Sequence, residues 1–106
     1  MGGRRKQLIR INFREQVFTR DGWKCKFCDI VDGLDAHHIT DRTEMPNGGY
    51  VPENGITLCA EHHMQAERFH SSGGSEWEDG MHPNDLYDLI GSSKEEAETA
   101  SEALSP

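Results

Sequence analysis

The chain has 106 residues, a formal net charge of −8 and three cysteines. It has no apolar run long enough to span a membrane or to act as a secretory signal, so we expect neither membrane insertion nor secretion. One small domain of this size buries only a modest core and usually needs a metal or a disulfide as well. An odd number of cysteines argues against a disulfide framework, and reduced thiols predict a cytoplasmic protein.

The charge is divided unevenly along the chain. Residues 1–26 carry eight Lys/Arg and two acids, a net charge of +6, whereas residues 27–70 carry two bases and eight acids. Residues 71–106 carry nine acids and one lysine. A basic segment can neutralise phosphates although the whole chain is acidic, and a solvated terminus without a ligand is the alternative. The weak candidates for DNA contacts are Arg14, Arg20, Lys24 and Lys26.

In the first half of the chain, the sequence predicts an arm, a helix, a strand and a loop. Residues 1–12 are expected to form a basic flexible arm. Asn12 and Glu15 resemble a capping box, which predicts a short helix over residues 13–20. Residues 34–40 resemble a strand, and residues 41–53 are rich in turn-forming residues.

The second half predicts a strand, a helix and an acidic tail. Residues 56–58 favour a short strand, and residues 60–70 contain neither Gly nor Pro and favour a helix. Residues 71–106 are expected to be an acidic linker and tail with a short helix at 83–90. The segment after Ser92 has few large apolar side chains, so we expect it to be disordered or a solvated helix.

Two similar clusters lie 30 residues apart: Cys25-x-x-Cys28 and Cys59-x-x-His62. Two such half-sites are typical of one tetrahedral zinc site with all four residues as ligands. Four protein ligands leave no position for a substrate, so we expect this zinc to be structural. In small modules such zinc contributes roughly 10–16 kcal/mol of apparent binding free energy.

Several histidines remain after this site is complete, and Asn54 lies between them in sequence. Ordinary surface or sheet histidines are the alternative interpretation for His37 and His38. Neighbouring side chains in a regular strand point to opposite faces, so this pair can share one site only if the strand bulges or turns. We assign no function to His70 and His82.

The order of these features resembles the HNH endonuclease family. The matching residues fall within 13–70, the segment that we interpret as the nuclease domain: Arg20-Asp21-Gly22, Cys25, Cys28, His37-His38-Ile39, Asn54, Leu58-Cys59 and His62-His63. The resemblance implies an α+β fold, a small ββα-metal (His-Me finger) domain stapled by a structural zinc. It also implies metal-dependent hydrolysis of DNA phosphodiester bonds, as a nick or a double-strand cut.

The resemblance also assigns roles to individual residues. His38 would be the general base and Asn54 would help to orient it. His37 and His63 would bind a catalytic divalent ion (Mg²⁺, Mn²⁺ or Ni²⁺), with Glu67 as a weaker third candidate. His63 and Glu67 are four residues apart, which places them on one helical face. A neutral imidazole, with a pKa of about 6.5, can accept the proton of an attacking water at neutral pH.

Two alternatives to an independent nuclease stay open. The chain could be a non-catalytic zinc module that binds nucleic acid or a protein. It could also be a nuclease that is active only beside a partner, such as a phage terminase or a modification machine docked on the acidic tail. Small stand-alone members of this kind resemble phage enzymes, so we expect a cytoplasmic protein of bacterial or phage origin.

Overall fold

The computed structural model describes residues 2–104, with side chains from residue 4 onward, and confirms an α+β fold. In chain order the helices and strands are α1 Gly2–Asp21, β1 Asp35–His38, β2 Gly55–Leu58, α2 Ala60–Ser71, α3 Pro83–Leu89 and α4 Lys94–Glu102. Three short 3₁₀ turns connect β1 to β2. Among the described residues, no helix combines the length and the apolar character needed to cross a membrane.

The two strands form an antiparallel sheet that lies at the centre of the fold. Pairing runs in continuous register from Asp35 opposite Leu58 to His38 opposite Gly55. Every residue of β2 is buried, because α1 and α2 both pack against it. The sheet therefore carries the end of β1, with its two histidines, on a rigid base.

The first helix is longer than the sequence predicted. It begins at Gly2, so the flexible arm predicted over residues 1–12 is wrong for the described part of that range. Residues 4–11 consist of Arg, Lys, Gln, Leu and Ile, which tolerate or favour helix, and contain no proline to stop it. The absence of an apolar periodicity hid this part of the helix from sequence inspection.

The second half of α1 packs closely on β2 at a glycine. A Cβ atom on Gly55 would lie 2.4 Å from Val17 Cγ2 and 2.7 Å from Phe13 Cε1. Phe13 and Val17 lie four residues apart on one face of α1, and both are buried. Only a residue without a side chain allows the helix to approach the strand at this distance.

A partly buried ion pair between Arg20 and Asp21 also joins α1 to the sheet. The Arg20 guanidinium donates to both carboxylate oxygens of Asp21, at 2.8 and 2.9 Å, and to the carbonyls of Pro52 and Gly55. Asp21 in turn accepts a 2.9 Å hydrogen bond from the backbone N–H of Thr57. The guanidinium donors of Arg20, a weak candidate for DNA contact, therefore bind acceptors within the fold.

The C-terminal part is not the tail that the sequence predicted. Helix α3 lies within the predicted range 83–90, and α4 follows where disorder or a solvated helix was expected. Leu86 and Ala97 are buried in the core, while Asn47 donates hydrogen bonds to the carbonyls of Ser101 and Leu104. The face of α4 that packs on the domain consists of small residues, so the low apolar content of this segment did not reveal that it packs.

Candidate functional site

The residues of the predicted zinc site come together at the start of α2. Cys25 and Cys28 lie in the turn after α1, Cys59 immediately precedes α2, and His62 lies in its first turn. His62 Nδ1 is 3.6, 3.8 and 3.2 Å from the sulfurs of Cys25, Cys28 and Cys59. The Cys28 and Cys59 sulfurs are 3.8 Å apart. We refer to these four residues as the Cys3His cluster.

The spacing of the Cys3His cluster can be compared with that of a metal site. A tetrahedral zinc with Zn–S of about 2.3 Å and Zn–N of about 2.0 Å has S–S edges of about 3.8 Å and S–N edges of about 3.5 Å. The S–N distances, 3.2 to 3.8 Å, lie on both sides of the expected S–N edge, and the S–S distance of 3.8 Å agrees with the expected S–S edge. The cluster is therefore able to hold a metal ion with one atom from each side chain.

Within the Cys3His cluster, the surroundings of Cys59 favour its thiolate form. The backbone N–H of His62 hydrogen-bonds to the Cys59 sulfur and lowers the pKa of that thiol to about 7, against the opposing effect of burial. The thiolate, rather than the thiol, is the form that binds metals. Cys59 is thus prepared for coordination at neutral pH.

A second cluster of titratable side chains lies on the far side of α2, in an open cleft of about 490 Å³. We call this feature the cleft. Its lining residues come from β1, the following loop and α2: Asp35, Ala36, His37, His38, Asp41, Arg42, Tyr50, His63, Glu67 and His70.

His37 is the most deeply placed of these histidines, with only 2% of its surface exposed. Its Nδ1 lies 3.3 Å from Glu67 Oε1, which is an ion-pair distance, whereas its buried Nε2 has no hydrogen-bond partner among the described residues. Burial lowers the pKa of His37 and so favours the neutral imidazole. A buried polar group without a hydrogen-bond partner lowers the stability of the fold by about 1–3 kcal/mol. We therefore expect this ring to bind a partner that is not part of the chain.

His70 joins this cluster, although the sequence analysis assigned it no function. His37, Glu67 and His70 each offer a ligand atom within 4.8 Å of the others. His70 Nε2 is also 3.0 Å from the backbone carbonyl of His38. His63, Glu67 and His70 follow a spacing of four and then three residues, which places all three on one helical face. That spacing was the available signal, and our assignment of no function to His70 ignored it.

His63 also lies in the cleft, held between two carboxylates. Its Nδ1 is 3.1 Å from Asp35 Oδ2, and its Nε2 is 3.4 Å from Glu67 Oε1. Asp35, which the sequence did not single out, is 3.5 Å from the Arg14 guanidinium. Arg14 also donates to the carbonyl of Leu34 and lies over the ring of Phe18, so this weak candidate for DNA contact is engaged within the fold.

His38 faces the opposite side of β1 and packs against aromatic rings. It stacks on Phe13 with 4.6 Å between ring centroids and meets the Tyr50 ring edge-on at 4.8 Å. Its Nε2 is buried and unpaired among the described residues. Burial, and secondarily the neighbouring His37, lowers the pKa of His38 to about 4, so this ring is neutral near pH 7.

The two adjacent histidines reach the cleft without a bulge. The register between β1 and β2 is regular at both residues, so the condition that the sequence suggested, a bulge or a turn, is wrong. His37 points towards α2 and His38 towards α1, as alternation requires. Both line the cleft because it lies at the end of the strand and is open to both faces.

Asn54 is fully buried and fixes the backbone that follows His38. Its side chain accepts a hydrogen bond from the Thr40 N–H at 2.9 Å and donates to the carbonyls of Thr40 and Gly49. Its backbone carbonyl accepts from the N–H of Ile39. The asparagine therefore acts on the geometry of the strand end rather than touching the cleft itself.

A tyrosine from the C-terminal part completes this network. The Tyr87 hydroxyl donates to Asn54 Oδ1 at 2.7 Å, and the Thr40 hydroxyl lies 2.7 Å from the same oxygen of Tyr87. Burial raises the pKa of Tyr87 to about 12, so its hydroxyl remains a donor at any ordinary pH. Helix α3 thus supports the strand end that carries His38.

Comparison with known families decides the identity of this arrangement. The model of a family described as HNH endonuclease matches residues 17–72, which is more than half of the chain. The chain belongs to the HNH endonuclease family. No curated protein and no solved structure matches it significantly. Membership indicates nuclease activity, for which DNA is the substrate that the family implies.

The matched HNH segment includes the Cys3His cluster, β1, β2 and all the residues that line the cleft, but it ends before α3 and α4. Tyr87 therefore supports Asn54 from outside the matched region. The remaining two weak DNA candidates are exposed: Lys24 lies 3.9 Å from Asp29, and Lys26 pairs with Thr57 only through its backbone N–H.

We expect Tyr87→Phe to lower the free energy of unfolding by about 1–3 kcal/mol, because the Thr40 hydroxyl would lose its buried acceptor. Urea denaturation measures this change. Tyr50→Phe is the matched control, since the hydroxyl of Tyr50 lies at the surface and its loss should change stability by less than about 0.5 kcal/mol. Equal effects of the two substitutions would contradict the role given to Tyr87.

Proposed function

We propose that this protein is a metal-dependent endonuclease that hydrolyses DNA phosphodiester bonds, with His38 as the general base. The observation that carries the proposal is the buried imidazole of His37, whose Nδ1 faces Glu67, whose Nε2 has no hydrogen-bond partner among the described residues, and which lies beside His70. A neutral, buried imidazole in this position is suited to bind a metal ion through a ring nitrogen.

His37, Glu67 and His70 are the residues that would hold a divalent ion, with His63 as the neighbouring candidate. When bound, Mg²⁺, Mn²⁺ or Ni²⁺ would supply Lewis-acid chemistry at the scissile phosphate and the leaving 3′ oxygen. This set keeps His37 and Glu67 from the sequence-based assignment and adds His70. Asp35 would orient the ring of His63 through Nδ1, as carboxylates commonly do for metal-binding histidines.

The charges of the cleft support a need for a cation. Its lining contains three carboxylates, Asp35, Asp41 and Glu67, and a single arginine, Arg42. The close contact with His37 lowers the pKa of the Glu67 carboxyl to about 2, so Glu67 is ionised at neutral pH. An anionic phosphate would be repelled from this surface unless a positive ion is present.

His38 would take the proton of the attacking water. Its Nε2 is buried, so water entering the cleft would meet Nδ1, and the neutral ring would then carry its own proton on Nε2. The stack on Phe13 and the contact with Tyr50 hold the ring in one orientation. Proton transfer by such a positioned group typically contributes 10²–10⁴-fold to a rate (~100-fold at the low end).

Asn54 would act as a positioning residue for this base. It binds both backbone polar groups of Thr40, two residues beyond His38, and does so from a buried position. Loss of these bonds would release the end of β1 and with it the orientation of the imidazole. This role agrees with the one that the family resemblance implied.

We also propose zinc as the occupant of the Cys3His cluster. Three thiolates and one imidazole are a common donor set for structural zinc, and the distances between them suit its bond lengths. With four protein ligands the site is closed, so its function would be to join the turn after α1 to the start of α2.

The structure bears on both alternatives to an independent nuclease, the partner-dependent nuclease and the non-catalytic zinc module. A nuclease that depends on a docked partner stays a prediction, although α3 and α4 pack on the domain through the Tyr87 hydrogen bond to Asn54 and the Asn47 hydrogen bond to Ser101. A non-catalytic zinc module would have no need of the deeply buried imidazole of His37 beside Glu67 and His70. That reading is tested by cleavage itself.

We expect purified protein to nick or linearise plasmid DNA in the presence of Mg²⁺, Mn²⁺ or Ni²⁺, and His38→Ala to lower the rate at least 100-fold. Gel analysis of supercoiled plasmid measures both activities. Bound zinc and thermal melting of the two proteins should be equal, which controls for folding. Wild-type activity retained by His38→Ala would contradict the assignment of the base, and well-folded wild type without activity would favour the binding module.

We expect His62→Ala and His63→Ala to separate the two clusters although the residues are neighbours. Only His62 lies within reach of the three sulfurs, so its replacement should reduce bound zinc and lower the melting temperature. His63→Ala should keep about one zinc per chain and lose cleavage instead. Elemental analysis and thermal melting measure the difference, and equal zinc loss in both variants would refute the division.

A further inference from the structure

Two arginines converge on one hydroxyl at the rim of the cleft. Arg42 Nη1 donates to Tyr50 Oη at 3.4 Å, and the guanidinium of Arg10 in α1 lies near enough to this hydroxyl to lower its pKa. Burial alone would raise the pKa of Tyr50, but hydrogen bonds and charge from Arg42 and Arg10 lower it overall. The hydroxyl therefore lies in a positive field, next to the ring of His38 that it contacts edge-on.

The position of this group follows from α1. Arg10 and Arg14 are four residues apart on the same helical face, and each contacts a residue that lines the cleft, Tyr50 and Asp35 respectively. One face of α1 consequently runs along the cleft. Lys6, one turn before Arg10, extends the same basic face beyond the cleft.

These arginines differ from the ones selected from the sequence. The guanidinium of Arg20 is committed to Asp21 and two carbonyls, and that of Arg14 to Asp35 and a carbonyl. Arg10 and Arg42 are both exposed and both lie near the hydroxyl of Tyr50, and Arg42 also lies near the carboxylate of Asp41. A guanidinium has five N–H donors, so each retains several for an anion.

We propose that Arg10, Arg42 and the hydroxyl of Tyr50 form a subsite that holds a nucleic-acid backbone phosphate, next to the phosphodiester group positioned at His38. This inference rests on the proposed function, since it names a second contact for the same substrate. Paired arginines suit a phosphate because their donors are planar and can bind two oxygens together. In a cleft otherwise lined by carboxylates, this rim is where a strand can approach without repulsion.

Binding of a fluorescent DNA duplex to the full-length, zinc-loaded protein tests the subsite by anisotropy over a range of salt concentrations. No other divalent ion is added, so cleavage does not interfere. We expect Arg10→Gln and Arg42→Gln each to weaken binding about tenfold and to reduce the slope of log affinity against log salt by about 1. Tyr50→Phe, which keeps the ring against His38, should weaken binding less, by about threefold.

Lys94→Gln is the matched control, because it removes one exposed positive charge from α4, away from the cleft lining, and should bind as wild type does. Unchanged affinity and slope in both arginine variants would overturn the subsite. Inorganic phosphate at constant ionic strength is a second probe. If it binds wild type but not the Arg10→Gln/Arg42→Gln protein while DNA affinity is unchanged, the site is one for free phosphate and the proposal is wrong.

The result is independent of the proposed nuclease activity. Weaker binding by the arginine variants of a protein that never cleaves DNA would support the subsite and reject the proposed function. Normal binding by the same variants of a protein that does cleave DNA would reject the subsite alone. In an active enzyme, we expect the variants to raise KM more than they lower kcat.

Discussion

The first turn of α2 carries two adjacent histidines that face different clusters, and the rest of the site depends on this division. Neighbouring residues on a helix point about 100° apart. His62 accordingly lies 3.2 Å from the Cys59 sulfur, while His63 lies 3.1 Å from Asp35 in the cleft. Any shift or rotation of α2 would disturb both clusters together. A metal in the Cys3His cluster would therefore fix the helix whose opposite face supplies His63, Glu67 and His70.

The other side of the cleft is fixed by hydrogen bonds rather than by metal. Asn54 holds the backbone at Thr40, and Tyr87 holds Asn54 from a helix outside the matched family segment. The C-terminal helices thus stabilise the strand end in this chain. Their acidic residues contribute most of the negative charge of residues 71–106, and α1 carries most of the positive charge. The basic face of α1, and not the net charge of −8, is what a phosphate strand would meet.

The parts of the site that the sequence predicted are those with short, regular spacing. Cys25 with Cys28, Cys59 with His62, and His63 with Glu67 each repeat at three or four residues, which is a local property. His70 and Asp35 were not selected from the sequence, because their placement in the cleft depends on how α2 packs beside β1. The start of α1 was missed because its polar residues give no periodic apolar signal. A solvated helix was one expectation for the segment of α4, but its packing through small side chains was not predicted. Arg20 was selected as a weak candidate for DNA contact because its partners within the fold, Pro52 and Gly55, are too distant in sequence to be recognised there.

We propose that the cleft binds a divalent ion through His37, separately from the Cys3His cluster. Titration of Mn²⁺ into zinc-loaded protein by isothermal calorimetry, with wild type and His37→Ala compared, tests it most directly. We expect one Mn²⁺ site in wild type, its loss in His37→Ala, and about one zinc per chain in both proteins. Equal Mn²⁺ binding by the two proteins, or none by folded wild type, would contradict the account.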